Sequence, residues 1–159
     1  MKPKKNQKNA DTLIAENRKA RFEYAILETF EAGLMLTGTE VKSVRSGKVQ
    51  LANAYADIRQ GEAFLLQCHI SPYEKGGYAN HEPLRKRKLL LHRKEIDTLI
   101  GKIQAKGLTL IPLKMYFKGP FAKVLLGLGK GKKTHDKRES LKEKDSQRQI
   151  DKSLKMRNR

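Results

Sequence analysis

Residues 92–129 read HRKEIDTLIGKIQAKGLTLIPLKMYFKGPFAKVLLGLG, and two periodicities follow one another in them. Ile96, Leu99, Ile100 and Ile103 recur at i, i+3, i+4 and i+7, which predicts one apolar helical stripe stopped at Gly107. Thr109–Phe117 and Phe121–Leu128 are then two strands flanking Lys118-Gly119-Pro120, a hairpin. Toward the N-terminus, a polar loop from Ser71 to Pro83 separates this unit from a second hairpin, Ala54–Arg59 and Ala63–Ile70 around Gln60-Gly61. Before that, Thr39 can cap a short helix over 40–46 that stops at Gly47. Phe22, Tyr24 and Ile26 alternate as a strand ending near Phe30. Strand, short helix, hairpin, long helix, hairpin, with no internal repeat, predicts a mainly β fold. The expected form is a small antiparallel barrel of the oligonucleotide-binding type.

The ends differ in composition from this core. Residues 1–12 carry Lys2, Lys4, Lys5 and Lys8 with nothing to bury and read as a flexible basic arm. Gly129–Arg159, GKGKKTHDKRESLKEKDSQRQIDKSLKMRNR, holds twelve Lys/Arg against five Asp/Glu. Its sizeable apolar residues are few: Leu141, Ile150, Leu154 and Met156. It cannot close a core and reads as a solvated tail that folds on a partner. Wound as a helix, Lys144, Arg148, Lys152, Lys155 and Arg159 fall within about 80° of one another, opposite Ile150 and Leu154. One edge then suits phosphates and the other a protein or RNA wall.

The 159-residue chain has a net charge of +18, a field that concentrates polyanions. No stretch is long and apolar enough for a membrane span, and no secretory signal opens the sequence. One cysteine, Cys68, excludes intrachain disulfides and fits a reducing cytoplasm. No HExxH, GxGxxG, P-loop or GxSxG pattern occurs, so neither a cofactor nor catalysis is expected. His92 with Glu95, or His81 beside Glu82, would serve a metal-dependent nuclease only if His81, His92 and an acid converged. Two clusters, Asn17-Arg18-Lys19-Ala20-Arg21 and Arg85-Lys86-Arg87-Lys88, offer phosphate-binding cations, and Asn17 an amide able to read a base or ribose. Tyr73 and Tyr78 are placed to stack on unpaired bases. On residues alone, a specific RNA adaptor and a general basic RNA-binding or ribosomal protein stand about level.

Several long stretches carry a resemblance: IAENRKARFEY (14–24), FEAGLMLTGTEVKSVRSGK (30–48), HISPYEKG (69–76), NHEPLRKRKLLLHRKEI (80–96), GLTLIPLKMYFK (107–118) and GKGKKTHDKRE (129–139). Almost from end to end the chain resembles the SmpB family of tmRNA-binding (SsrA-binding) proteins. It departs at Phe22, where His is common, and at Glu82, where Asp is common. The resemblance implies a six-stranded oligonucleotide-binding-type barrel over 13–129 with about three short helices. It implies a tail over 130–159 that is disordered when free and helical on the ribosome. It implies binding of the tRNA-like domain of tmRNA through Asn17, Glu31 and Leu91, with Arg18, Lys19, Arg21 and Lys88 as phosphate contacts. Glu31, an acid on an RNA face, would accept a base hydrogen bond or orient an arginine. The tail would enter the decoding centre and empty mRNA channel of a stalled ribosome. There Lys130, Lys132, Lys133, Asp136, Lys137 and Arg138 would lead it in, His135 would stack on a base, and Ile150, Leu154 and Met156 would rest on the channel wall. Elongation factor Tu with GTP would be an indirect partner in delivery.

Overall fold

The computed structural model describes residues 11–157. Most of the basic arm read at 1–12, and Arg159 of the tail stripe, lie outside the described residues. Nine strands and four α-helices follow in the order β1 (Thr12–Glu16), α1 (Ala20–Glu23), β2 (Tyr24–Leu34), α2 (Gly38–Arg45), β3 (Val49–Gln50), β4 (Tyr55–Arg59), β5 (Glu62–Leu66), β6 (His69–Ile70), β7 (Arg87–Leu90), α3 (Arg93–Lys106), β8 (Thr109–Lys118), β9 (Phe121–Gly131) and α4 (Thr134–Arg157). A single 3₁₀ turn, Gly77–Ala79, lies in the polar loop.

Seven strands form one antiparallel sheet in the order β1-β8-β4-β5-β7-β2-β9, and β9 also pairs with β8. That last pairing closes a ring of six strands, the barrel expected, and leaves β1 as a seventh strand laid along β8 from Thr12↔Phe117 to Glu16↔Lys114. Closure hides the strand edges that an open sheet would expose. Inside lie Ala32, Leu65, Leu89, Leu110, Met115, Val124, Leu126 and Leu128, all nearly inaccessible. The α3 stripe adds Leu99 to this core and packs Ile103 against it, and Gly107 ends the helix with a left-handed backbone.

Four local expectations need correction. Phe22 is in α1, not a strand: the Lys19 carbonyl accepts the Phe22 and Glu23 amides as the chain turns between β1 and β2. The strand therefore starts at Tyr24 and runs past Phe30 to Leu34. The cap of α2 is Thr37 rather than Thr39, because only Thr37 has a glutamate three residues on. Glu40 accepts the Thr37 amide at 2.8 Å in a capping box. The long second strand of the first hairpin breaks after Leu66, where Gln67 takes φ 55°. It resumes as β6, paired with β3 in a separate two-stranded ribbon.

Candidate nucleic-acid interface

The basic corner is built by Asn17. Its backbone amide donates to Leu113 O at 2.7 Å, and its Nδ2 donates to Leu51 O and Pro112 O at 3.2 and 3.1 Å. Its Oδ1 accepts the Ala20 amide at 3.2 Å. The side chain is buried, so Asn17 does not present an amide to a base as the sequence suggested. It instead ties β1 to α1 and holds Arg18, Lys19 and Arg21 outward, all three exposed.

Glu31 stands on β2 opposite Leu125 of β9. It accepts a hydrogen bond from the Tyr116 hydroxyl and another from Lys118 Nζ at 3.4 Å, with Lys123 Nζ at 4.0 Å. Of the two roles expected for it, orienting an arginine is not seen within the chain, where its partners are a tyrosine and two lysines. Tyr116 first, then the lysines, hold its carboxyl below the usual carboxylate range against the opposing effect of burial. Burial, together with Glu31, pushes the Tyr116 hydroxyl up. Beside this acid opens a groove of about 780 Å³ that also takes in Leu91. The floor is Gly33, where a Cβ would meet Leu90 Cβ at 3.2 Å. The walls are Leu90, Leu91 and His92 on one side and Phe121 and Lys123 on the other.

Glu31 and Leu91 are thus brought together, but the corner residues are not. Tyr24, directly after α1, and Glu31 are separated by about 24 Å of β2. An RNA touching both regions must span that length of barrel.

The second basic cluster divides between the core and the surface. Arg87 is fully buried, with Nε 2.7 Å from Glu40 Oε1, and it donates to Cys68 O at 2.6 Å and Pro83 O at 3.1 Å. Arg85 donates from Nη2 to Glu40 Oε2 at 2.7 Å. Burial alone would raise Glu40, but Arg85, the Thr37 amide and Arg87 outweigh it and hold the acid at about 2. Strand alternation turns Arg87 and Leu89 into the barrel, while Lys86 and Lys88 face outward and Arg85 stays half-buried at the surface. Lys86 lies 4.5 Å from the Phe64 ring centroid, and Lys88 pairs with Glu62. Lys88 keeps its place on the outer surface with this competing partner.

His81 and His92 are engaged in separate local contacts. His81 sits between Thr39 Oγ1, at Nδ1, and Ile70 O, at Nε2, each at 2.9 Å, and the carbonyl requires Nε2 to donate. His92 caps α3, and Glu95 accepts its amide at 2.9 Å. Among the described residues the one group with metal-ligand spacing is His135, Asp136 and Glu139, all exposed on α4.

Lys132 roots the tail. Its amide donates to Glu23 O at 2.8 Å, and its ammonium donates to Arg21 O and Ser140 Oγ at 3.1 and 3.0 Å. It is therefore an anchor between α1 and α4, whereas Lys130, Lys133 and Arg138 are exposed and Lys137 half-exposed. From Thr134 to Arg157 the tail is one helix, about 36 Å long, with no buried residue. The expected fold-on-partner tail is helical here from Thr134 to Arg157, in keeping with its Lys, Glu, Gln, Arg and Leu content and the Gln147–Asp151 hydrogen bond at 2.9 Å. Ile150, Leu154 and Met156 are exposed, with Ser146 and Ser153 beside the first two in a shallow groove.

Sequence reasoning missed Tyr116, Lys118, Lys123 and Phe121. Their side chains meet Glu31 or the groove only because β9 pairs with both β2 and β8, which no local pattern reveals.

A closed antiparallel barrel with a cationic corner, an acid-bearing groove and a protruding basic helix defines a protein of the nucleic-acid-binding barrel class. The family model described as SmpB protein matches residues 14–156. An SsrA-binding protein of Gloeothece citriformis is 59% identical over 151 residues, 94% of this chain and 97% of its own. Another, from Trichormus variabilis, is 61% identical over 144 residues, 90% and 93% of the two chains. A solved structure described as "tmRNA-SmpB: a journey to the center of the bacterial ribosome" is similar with a TM-score of 0.66 and 54% identity, over 82% of this chain and 95% of that one. The chain belongs to the SmpB family.

Proposed function

We propose that this chain binds the tRNA-like domain of tmRNA and brings alanyl-tmRNA, with elongation factor Tu and GTP, to stalled ribosomes. There α4 enters the decoding centre and the vacant mRNA channel, and no bond is made or broken by the protein itself. The observation that carries this reading is the division of the molecule. The Glu31–Leu91 groove and the Asn17–Arg21 corner lie on the closed barrel, while a 24-residue helix with no buried residue leaves it. A helix that buries nothing in its own chain has both edges free for a partner. Its lysine and arginine edge suits ribosomal RNA phosphates, and Ile150 and Leu154 suit a shallow apolar wall. No described helix is long and apolar enough to cross a membrane, and a role on ribosomes would be a cytoplasmic one.

The test separates the two parts. Truncation after Lys133 should leave affinity for the tRNA-like domain within about twofold while peptide tagging of stalled chains is lost. An equal loss of RNA affinity would make the tail a simple binding arm. Displacement of the labelled domain by any structured RNA at equal concentration would instead favour a general RNA-binding protein.

A further inference from the structure

A second cavity lies apart from the Glu31 groove, between the C-terminal end of α2 and the first part of the polar loop. Ser43, Ser46, Lys48, Tyr73, Glu74 and Lys75 line it. Ser43 forms its inner end, only 1% exposed, and the Ser43 hydroxyl makes no hydrogen bond within the described residues. Buried polar atoms are normally paired, so this one calls for a partner from the cavity side.

The lining favours an anion. A helix C-terminus ordinarily repels negative charge, but here its carbonyls are already engaged. The Ser46 amide serves Lys42 O and Ser43 O, the Gly47 amide serves Val44 O, and the Ser46 hydroxyl donates to Lys42 O at 3.1 Å. Donors are what remain. Lys48 donates to Glu74 at 2.6 Å, which leaves two of its N–H groups, and Lys75 adds a second ammonium. The Lys48–Glu74 pair is exposed, with the Glu74 side chain at 79%, and so yields to a competing anion at little cost. Lys42, 5.1 Å from the Tyr73 ring centroid, adds a third cation nearby. The loop wall is already shaped: Asn80 accepts the Tyr73 amide at 2.9 Å and donates to the Tyr73 carbonyl at 2.6 Å.

Size then narrows the ligand. The cavity holds about 100 Å³, room for about three water-sized groups or one phosphoryl group. A phosphodiester inside a chain offers two free oxygens and must carry a substituent out on both sides. A phosphate with at most one ester bond offers three free oxygens and close to two charges at neutral pH. We infer that this cavity is a terminal-phosphate site, which takes either the phosphorylated end of an RNA or inorganic phosphate. Ser43 donates to the innermost oxygen, and Lys48 and Lys75 hold the outer two. The site is separate from the surfaces given above to the tRNA-like domain.

The full chain is titrated at fixed ionic strength with fluorescent UUUU carrying a 5′-phosphate or a 5′-hydroxyl. The phosphorylated form should bind about tenfold more tightly, the lower end for a hydrogen bond to a charged group. Inorganic phosphate at millimolar concentration should remove that advantage. Ser43→Ala leaves the net charge at +18, so a preference made by the basic field alone would survive it, whereas the site predicts its loss. Lys75→Met should weaken the phosphorylated form more than Lys94→Met, an equal loss of charge on the exposed side of α3. Cooperative urea unfolding checks that each variant is folded. Should the two ends bind alike while phosphate raises the urea midpoint of the parent and not of Ser43→Ala, the ligand is the free anion. A preference that persists in Ser43→Ala, or neither preference nor midpoint shift in the parent, overturns the site. The tRNA-like domain of tmRNA with a 5′-hydroxyl end should bind parent and Ser43→Ala alike. A matching loss there would make Ser43 part of the general RNA surface and overturn a separate site.

Discussion

Replacing Glu40 by glutamine should destabilise the barrel strongly at neutral pH and much less in acid. Glu40 is fully buried and neutralises Arg87, also fully buried, while Arg85 closes the triad from the surface. A carboxyl moved from 4.5 to about 2 contributes roughly 3 kcal/mol to stability wherever it is ionised in both states. The sign is that of a depressed acid. The contribution is complete above the unfolded value and lost as pH falls from about 5 through 2, with roughly 2 kcal/mol gone by pH 3. Glutamine keeps the shape but leaves the Arg87 charge without its counter-ion, a change that typically costs about 3–5 kcal/mol. Urea unfolding followed by far-UV circular dichroism, run at pH 7 and pH 3, reads both quantities. The gap between parent and Glu40→Gln should be about 3 kcal/mol or more at pH 7 and narrow by about 2 kcal/mol at pH 3. The +18 net charge grows in acid for both proteins and cancels in the difference. A gap below about 1 kcal/mol at pH 7, or one that does not change with pH, would refute a charged, structural Glu40.

Two further outcomes follow from the interface. Asn17→Ala should cost roughly 2–3 kcal/mol in urea unfolding, since it removes the partner of three backbone groups, two of them carbonyls far along the chain. Hydrogen exchange at Ala20 should rise with it, and a change confined to RNA affinity would contradict the clamp. In α4, the double substitution Ile150→Asp and Leu154→Asp should leave the unfolding midpoint of the barrel unchanged, because neither side chain is buried. Ribosome-dependent tagging should fall sharply in the same variant, and normal tagging would remove the apolar edge from the tail's role.

Local pattern carried far in this chain. The α3 stripe, the hairpin at Lys118-Gly119-Pro120 and the Gln60-Gly61 turn appear close to where their periodicity and turn chemistry put them, because each depends on residues a few positions apart. The Thr37 cap was legible in the same way through the spacing of Thr37 and Glu40, which Thr39 does not share. Charge was a weaker guide. Arg85 and Arg87 look like Lys86 and Lys88 in sequence, yet a buried acid from α2, 45 and 47 residues away, pairs with both and takes Arg87 fully into the core. Asn17 likewise looks free to read RNA until Leu51 and Pro112 place carbonyls against it.

The sequence by itself therefore determined the element types, the barrel class, the basic field and the family likeness. These are sums over near neighbours or over the whole composition. Tertiary structure alone decided which polar groups remain available to a partner. Each depends on a non-local contact: β8 closing on β9 brings Tyr116 and Lys118 to Glu31, and Lys132 reaching Arg21 ties the tail to the corner. A hydrogen bond formed across the fold removes a donor or acceptor from solvent, and no spacing along the chain records that it has gone.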